Sequence, residues 1–152
     1  MSKLILSIHR IVYSLKLLGI PVLPSLINKI FIRLLFGCQL GTGTKFGNNV
    51  SLVYGGLGVT IHERAVIGNN VYIGTCVTIG GTTKKYEVPV IGDNSFISTG
   101  AKILGSVKIG KNCVIGANAV VLDDIPDRCV AVGMPAKIVK RDIDISDYRD
   151  ID

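Results

Sequence analysis

Large apolar residues return at every sixth position through the middle of the chain. They are Leu40, Phe46 and Leu52, then Ile61, Ile67, Ile73 and Ile79, then Ile91, Ile97, Ile103, Ile109, Ile115 and Val121. Four residues after most of these beats sits a small or β-branched residue, among them Thr44, Val50, Ala65, Val71, Val77, Ser95, Ala101, Val107, Cys113 and Ala119. One residue after the beat sits Gly in eight of the thirteen cases, at positions 41, 47, 68, 74, 80, 92, 110 and 116. A period of six matches neither a helix face nor simple strand alternation, and points instead to a repeat architecture. Short strands lining a narrow tube place the large residue and the small one inside, and glycine at the corner is expected to supply backbone angles closed to other residues. The pattern predicts a mainly β fold, a parallel β-helix of stacked hexapeptide rungs.

The beat is broken twice. After Leu52 the segment Val53-Tyr54-Gly55-Gly56-Leu57-Gly58-Val59-Thr60 delays the next beat by three residues. After Ile79 the run from Gly80 to Val90, GGTTKKYEVPV, would place Lys85 on the beat. An ammonium group is costly inside an apolar tube, so a projecting loop is expected over 81–89, within 80–90. Interruptions of a regular stack are where function is expected.

Before the repeat, Leu4, Ile5, Ile8, Ile11, Val12, Leu15 and Leu18 follow the spacing of an amphipathic helix over residues 3–18. Gly19 stops it, Pro21 and Pro24 form the connection, and a second helix is expected from about Ser25 to Phe36. Charges interrupt both stretches, which rules against a membrane span, and no small-residue cleavage site follows, which rules against a signal peptide. The expected organisation is therefore helices over 1–39, the repeat domain over 40–139 and a tail or short cap over 140–152. The tail is acidic, with Asp142, Asp144, Asp147, Asp150 and Asp152.

Composition changes this picture in three ways. The net charge of +6 is concentrated: residues 1–62 hold Lys3, Arg10, Lys16, Lys29, Arg33 and Lys45 and no acidic residue. That distribution lacks the dense clusters of a nucleic-acid binder. It leaves two expectations for the helices, packing on the tube or a neighbouring subunit, or peripheral contact with an anionic membrane through residues 1–36. The four cysteines, at 38, 76, 113 and 129, form no metal-binding pattern, and they imply a reducing, cytoplasmic setting.

His62 follows the beat Ile61 in the corner position that glycine usually holds, between the two interruptions. An imidazole there is a candidate general base toward a hydroxyl, with Glu63 orienting it. A plain surface histidine is the alternative. His9, inside the first helix, reads as structural.

The runs AVIGNNVYIGTCVTIGG and PVIGDNSFISTGAKILGSVKIGKNCVIGANAVVLDDIPDRCVAVGMPAKIV resemble the hexapeptide-repeat acyltransferases, in particular the serine acetyltransferase branch. The resemblance covers roughly residues 40–140 and implies a left-handed parallel β-helix, a homotrimer and acetyl-CoA as co-substrate in the groove between subunits, with no metal. It implies a donor site at Gly80, Gly81, Gly100, Ala101, Gly116, Ala117 and Lys137, with Lys140 and Arg141 near the CoA phosphates. The branch's Asp-His pair falls here on Val53 and Tyr54, or on Tyr54 and Gly55, and its second His on Thr75. The Arg-His that holds the serine carboxylate reads Glu87-Val88, an anion where a cation is needed.

These departures, with the basic helices and the YGGLGVTIH and YEVPVIGDN segments, resemble a variant group associated with surface-polysaccharide synthesis. That resemblance implies O-acetylation of a sugar or glycan precursor by direct transfer. His62 would serve as base and Tyr54, Tyr86 and Glu87 would line the acceptor pocket. Serine or another small acceptor is the alternative within the enzyme class. A trimeric binding or scaffold protein without activity is the alternative outside it.

Overall fold

The computed structural model describes residues 1–149. Its centre is a three-sided parallel β-solenoid of about four turns. Strands β1 (Gln39–Leu40), β2 (Lys45–Phe46) and β3 (Ser51–Leu52) form the first turn, and β4 (Thr60–Ile61), β5 (Val66–Ile67) and β6 (Tyr72–Ile73) the second. The third comprises β7 (Thr78–Gly80), β8 (Val90–Ile91) and β9 (Phe96–Ile97), and the fourth β10 (Lys102–Leu104), β11 (Lys108–Ile109) and β12 (Val114–Ile115). β13 (Val120–Val121) begins a fifth pass. Each strand pairs in parallel with the one a full turn later, so three sheets form, ordered β1-β4-β7-β10-β13, β11-β8-β5-β2 and β12-β9-β6-β3 in stacking sequence. Register follows the beat: Leu40 lies on Ile61, Ile61 on Ile79, Ile79 on Ile103 and Ile103 on Val121.

Nearly all the beat residues are sealed inside the tube, Phe46 being half-buried, with the small residues Ala65, Val71, Val77, Ala101, Cys113 and Ala119 between them. Burial of this kind stabilises by about 25 cal/mol per Å² of apolar surface. Two inward polar groups are satisfied locally. Thr44 Oγ1 donates to His62 O at 3.1 Å, and Ser95 Oγ donates to Gly110 O at 2.9 Å while accepting from Cys113 N.

The glycines act differently from the expectation. None of the eight that follow a beat has a positive φ; the left-handed corner residue comes two places later and is usually Asn, at 49, 70, 94, 112 and 118. Asn tolerates that conformation better than other non-glycine residues. The glycines are required by close stacking: a Cβ on Gly47 would lie 2.6 Å from the Gly68 carbonyl carbon, and one on Gly74 would lie 2.5 Å from Thr99 N. The corner asparagines also form a ladder, Asn70 to Asn94 at 3.0 Å and Asn94 to Asn112 at 3.2 Å.

The strand pattern lapses at both interruptions. Residues 53–56 turn tightly, with Tyr54, Gly55 and Gly56 all left-handed, and Val59 returns to the core. Residues 81–89 leave the stack as a loop on which Lys85 is exposed.

Helix α1 (Ser2–Leu17) lies against the first turn of the solenoid. It buries Ile5, Leu6, His9 and Val12, whereas Leu4, Ile11 and Leu18, read from the sequence as part of the same apolar face, stay exposed. Helix α2 (Leu23–Ile27) starts earlier than expected, because Pro24 occupies its first turn, where a missing N–H costs nothing. It continues as wider π-type turns over Asn28–Leu34. Polar ties fix the helices to the tube: Ser2 Oγ accepts from Leu52 N at 2.7 Å, His9 Nε2 donates to Gly41 O at 2.9 Å and Asn28 Nδ2 donates to Leu40 O at 2.6 Å.

At the other end β14 (Val130–Gly133) joins the third sheet and turns back as the antiparallel β15 (Ala136–Lys140). The acidic segment beyond is a packed strap. Ile143 and Ile145 are buried against Val114 and Val130, with Phe96 and Tyr148 beside them, and Arg149 stacks on Tyr72 at 4.5 Å. Asp150 and Asp152 lie outside the described residues.

Candidate active site

His62 stands where β4 ends at the corner above Gly41. Its backbone is pinned on three sides: His62 N donates to Ile79 O at 2.8 Å, and His62 O accepts from Ala65 N and from Thr44 Oγ1. The ring is half-buried, beside Gly81; a Cβ on Gly81 would sit 3.9 Å from Nε2. Nδ1 accepts the backbone N–H of Arg64 at 3.1 Å. A backbone amide only donates, so the neutral ring carries its proton on Nε2, and Nε2 is the nitrogen left for a ligand. The base role expected for His62 needs the opposite tautomer, which would set two N–H groups against each other. In this geometry the imidazole offers a hydrogen-bond donor.

Glu63, expected to orient the ring, faces Lys16 of α1 at 3.5 Å instead. The orienting contact on His62 comes from the Arg64 amide.

His62, Glu63 and Gly80 line a cavity of about 460 Å³ whose opposite wall is the second helical segment, with Asn28, Lys29 and Arg33. Lys29 and Arg33 are four apart and share the cavity with Thr42 and Thr60. In the sequence these two cations stand out only as part of the acid-free basic stretch 1–62, with no role at a site. Their spacing and the absence of acids around them were the available signal.

Tyr86 and Glu87 line a second cavity of about 930 Å³, on the neighbouring side, together with Lys45, Arg64 and Lys108. The Arg64 guanidinium lies 4.3 Å above the Tyr86 ring, a cation–π contact that orders the projecting loop. Glu63 borders both cavities. Tyr54 lies on neither wall and is fully exposed at the first interruption, so the structure does not bring the three expected acceptor residues together.

The expected donor residues divide in the same way. A Cβ on Gly80 would fit in ordinary contact, 3.6 Å from Leu104 Cδ2 and 3.8 Å from Thr78 Cγ2, and Gly105 N donates to the Gly80 carbonyl at 2.9 Å. Gly81 lies beside His62, with Val88 Cγ1 3.0 Å from where its Cβ would be, and Gly105 lies against Thr82, whose Cγ2 would be 3.6 Å from an added Cβ. Ala101 is sealed inside the tube, so its side chain cannot line a ligand groove. Gly100 and Gly116 are small because Asn118 and Val132 fill the space where their side chains would be. Ala117 and Lys137 are exposed, and Lys140 lies 5.7 Å from the Tyr148 ring, engaged with the strap.

Two family descriptions match the chain, the bacterial transferase hexapeptide (six repeats) over residues 89–123 and the hexapeptide repeat of succinyl-transferase over residues 38–75. Residues 38–75 and 89–123 are thus similar to transferase hexapeptide repeats. It is 37% identical over 135 residues to the serine acetyltransferase of Synechococcus elongatus, a match covering 88% of this chain and 54% of that protein. The crystal structure of Neisseria gonorrhoeae serine acetyltransferase superposes with a TM-score of 0.84 at 34% identity, covering 92% of this chain and 55% of the other. A serine acetyltransferase in complex with CoA superposes with a TM-score of 0.81 at 32% identity, covering 89% and 55%. The chain spans about half the length of the curated relatives it matches.

Proposed function

We propose that this protein is an acetyl-CoA-dependent serine O-acetyltransferase. The sugar acceptor expected from the sequence is set aside, because the relatives and solved structures above are serine acetyltransferases. The observation that carries the reading is the cavity that His62 shares with Lys29 and Arg33. It answers the objection that Glu87 and Val88 stand where a carboxylate-binding pair was expected. The cations that meet the serine carboxylate come from the second helical segment instead, as charge-assisted partners.

In this scheme acetyl-CoA lies along Gly80, Gly81 and Gly105, where its thioester reaches the corner of His62. The serine hydroxyl oxygen attacks the thioester carbonyl carbon. Nε2–H of His62 donates to the oxyanion that develops, the kind of fixed donor whose removal costs roughly 10²–10³ in kcat. Glu63, on the same wall, takes the hydroxyl proton. Collapse of the tetrahedral species breaks the carbon–sulfur bond and releases the CoA thiolate, which then takes up a proton. Thr44 positions the donor by holding the His62 carbonyl. A homotrimer, implied by the sequence resemblance, would close the open sides of both cavities.

Paired substitutions test the role of His62. His62→Ala is expected to lower kcat about 10²–10³-fold. His62→Gln, whose side-chain amide keeps an N–H near the Nε2 position, is expected to restore a substantial part. Equal loss in both variants would return His62 to the role of base, and unchanged turnover in His62→Ala would remove it from the chemistry.

A further inference from the structure

The cavity at His62 offers two cations to a carboxylate, but free serine also carries an α-ammonium, which the same cations repel. An ammonium donates hydrogen bonds and accepts none. A site for serine therefore needs an acceptor close to Lys29 and Arg33.

Asn28 lines the same cavity, and its amide fits only one way round. Nδ2 donates to Leu40 O at 2.6 Å, and a carbonyl oxygen can take only a donor, so Oδ1 is the end left over. That oxygen is buried, yet no group among the described residues donates to it. A buried acceptor without a partner is costly, and folded proteins keep few of them. Among the described residues, no other side chain on this cavity holds a buried polar atom in that condition.

The backbone accounts for the position. Asn28–Leu34 is wound in π-type turns. At the 3.6 residues per turn of an α-helix, residues five apart point in well-separated directions. Wider turns, bonded from i to i+5, bring Asn28 and Arg33 round to one side together with Lys29, and such turns are rare and frequent at functional sites. One segment thus presents an acceptor and two cations to one cavity, the set that a zwitterion requires and a simple anion does not. We infer that Asn28 is a specificity-determining residue whose Oδ1 accepts a hydrogen bond from the α-ammonium of serine. The assignment rests on the reading of this cavity as the serine site.

The test is CoA thiol release with L-serine and with 3-hydroxypropionate, which keeps the hydroxyl and the carboxylate but lacks the ammonium. Wild type is expected to prefer serine in kcat/KM. Asn28→Ala is expected to shrink that preference ~10–100-fold, the scale of a hydrogen bond to a charged group, through a raised KM for serine and a nearly unchanged KM for 3-hydroxypropionate. Asn28→Asp also loses the N–H to Leu40 O but keeps an acceptor, and is expected to hold the preference. A merely structural role for Asn28 would weaken both acceptors alike in both variants and leave their ratio where it was. The inference is overturned if Asn28→Ala keeps the wild-type preference, or if Asn28→Asp loses as much of it as Asn28→Ala; serine-dependent release by the wild type leaves the serine reading standing in both cases. Equal use of the two acceptors by the wild type overturns it without any variant. Wild type with no serine-dependent release at all overturns the serine reading, and the assignment of Asn28 falls with it.

Discussion

At the scale of single residues, what looks like one glycine motif is two separate requirements. Gly74 has an ordinary backbone, yet a methyl group there would lie 2.5 Å from Thr99 N and 2.9 Å from Thr99 Cα, both backbone atoms of the next turn. Backbone cannot rotate away as a side chain can, so Gly74→Ala must push two rungs apart. A loss of about 1–3 kcal/mol in unfolding free energy is expected, as for other overpacked positions. Gly80→Ala has nothing nearer than 3.6 Å and is expected to stay within about 0.5 kcal/mol, as a substitution away from packed features does. Denaturant unfolding of the two variants side by side checks the contrast.

His9 makes a second prediction at this scale. Burial pushes its pKa below the ordinary value of 6.5, only partly offset by its bond to Gly41 O. The unfolded chain therefore binds a proton that the folded chain resists, and stability rises with pH wherever that holds. His9 costs nothing above about pH 6.5 and destabilises progressively as pH falls below it. His9→Gln, which keeps an N–H toward Gly41, is expected to flatten that part of the stability profile measured by thermal melts across the range. A profile identical to wild type would show that another group titrates there.

At the scale of elements, legibility in the sequence tracked how local the cause was. The strands were readable because each beat residue needs only the tube interior, and Lys85 marked its loop because an ammonium cannot enter that interior. The helices were half readable. Their spacing predicted a helix but could not say which of two apolar stripes meets the solenoid, since Ile5 and Val12 on one side and Leu4 and Ile11 on the other are chemically alike. The segment after residue 139 was read as a tail or short cap; Ile143 and Ile145, with Tyr148 beside them, hold it to the third sheet. The site was the least legible part. Lys29 and Arg33 approach His62 only through the fold, across some thirty residues of chain, and the Arg64 amide that fixes the ring carries no side-chain signal at all.

At the scale of the molecule, the parts divide the work. The solenoid holds corners rigidly in place, the N-terminal segments supply one wall of the cavity at His62 and an outward apolar face, and the strap covers part of the third sheet. The central claim is that the chain transfers acetyl from acetyl-CoA to serine with its carboxylate held by Lys29 and Arg33. The most direct measurement is CoA thiol release by the purified chain with acetyl-CoA and L-serine, alongside serine amide, which keeps the hydroxyl but lacks the carboxylate charge. Expected are serine-dependent release, a strong preference for serine over its amide, and loss of that preference, through a raised KM for serine, in Lys29→Ser with Arg33→Ser. Release that serves serine and serine amide equally, or that does not depend on serine at all, would contradict it.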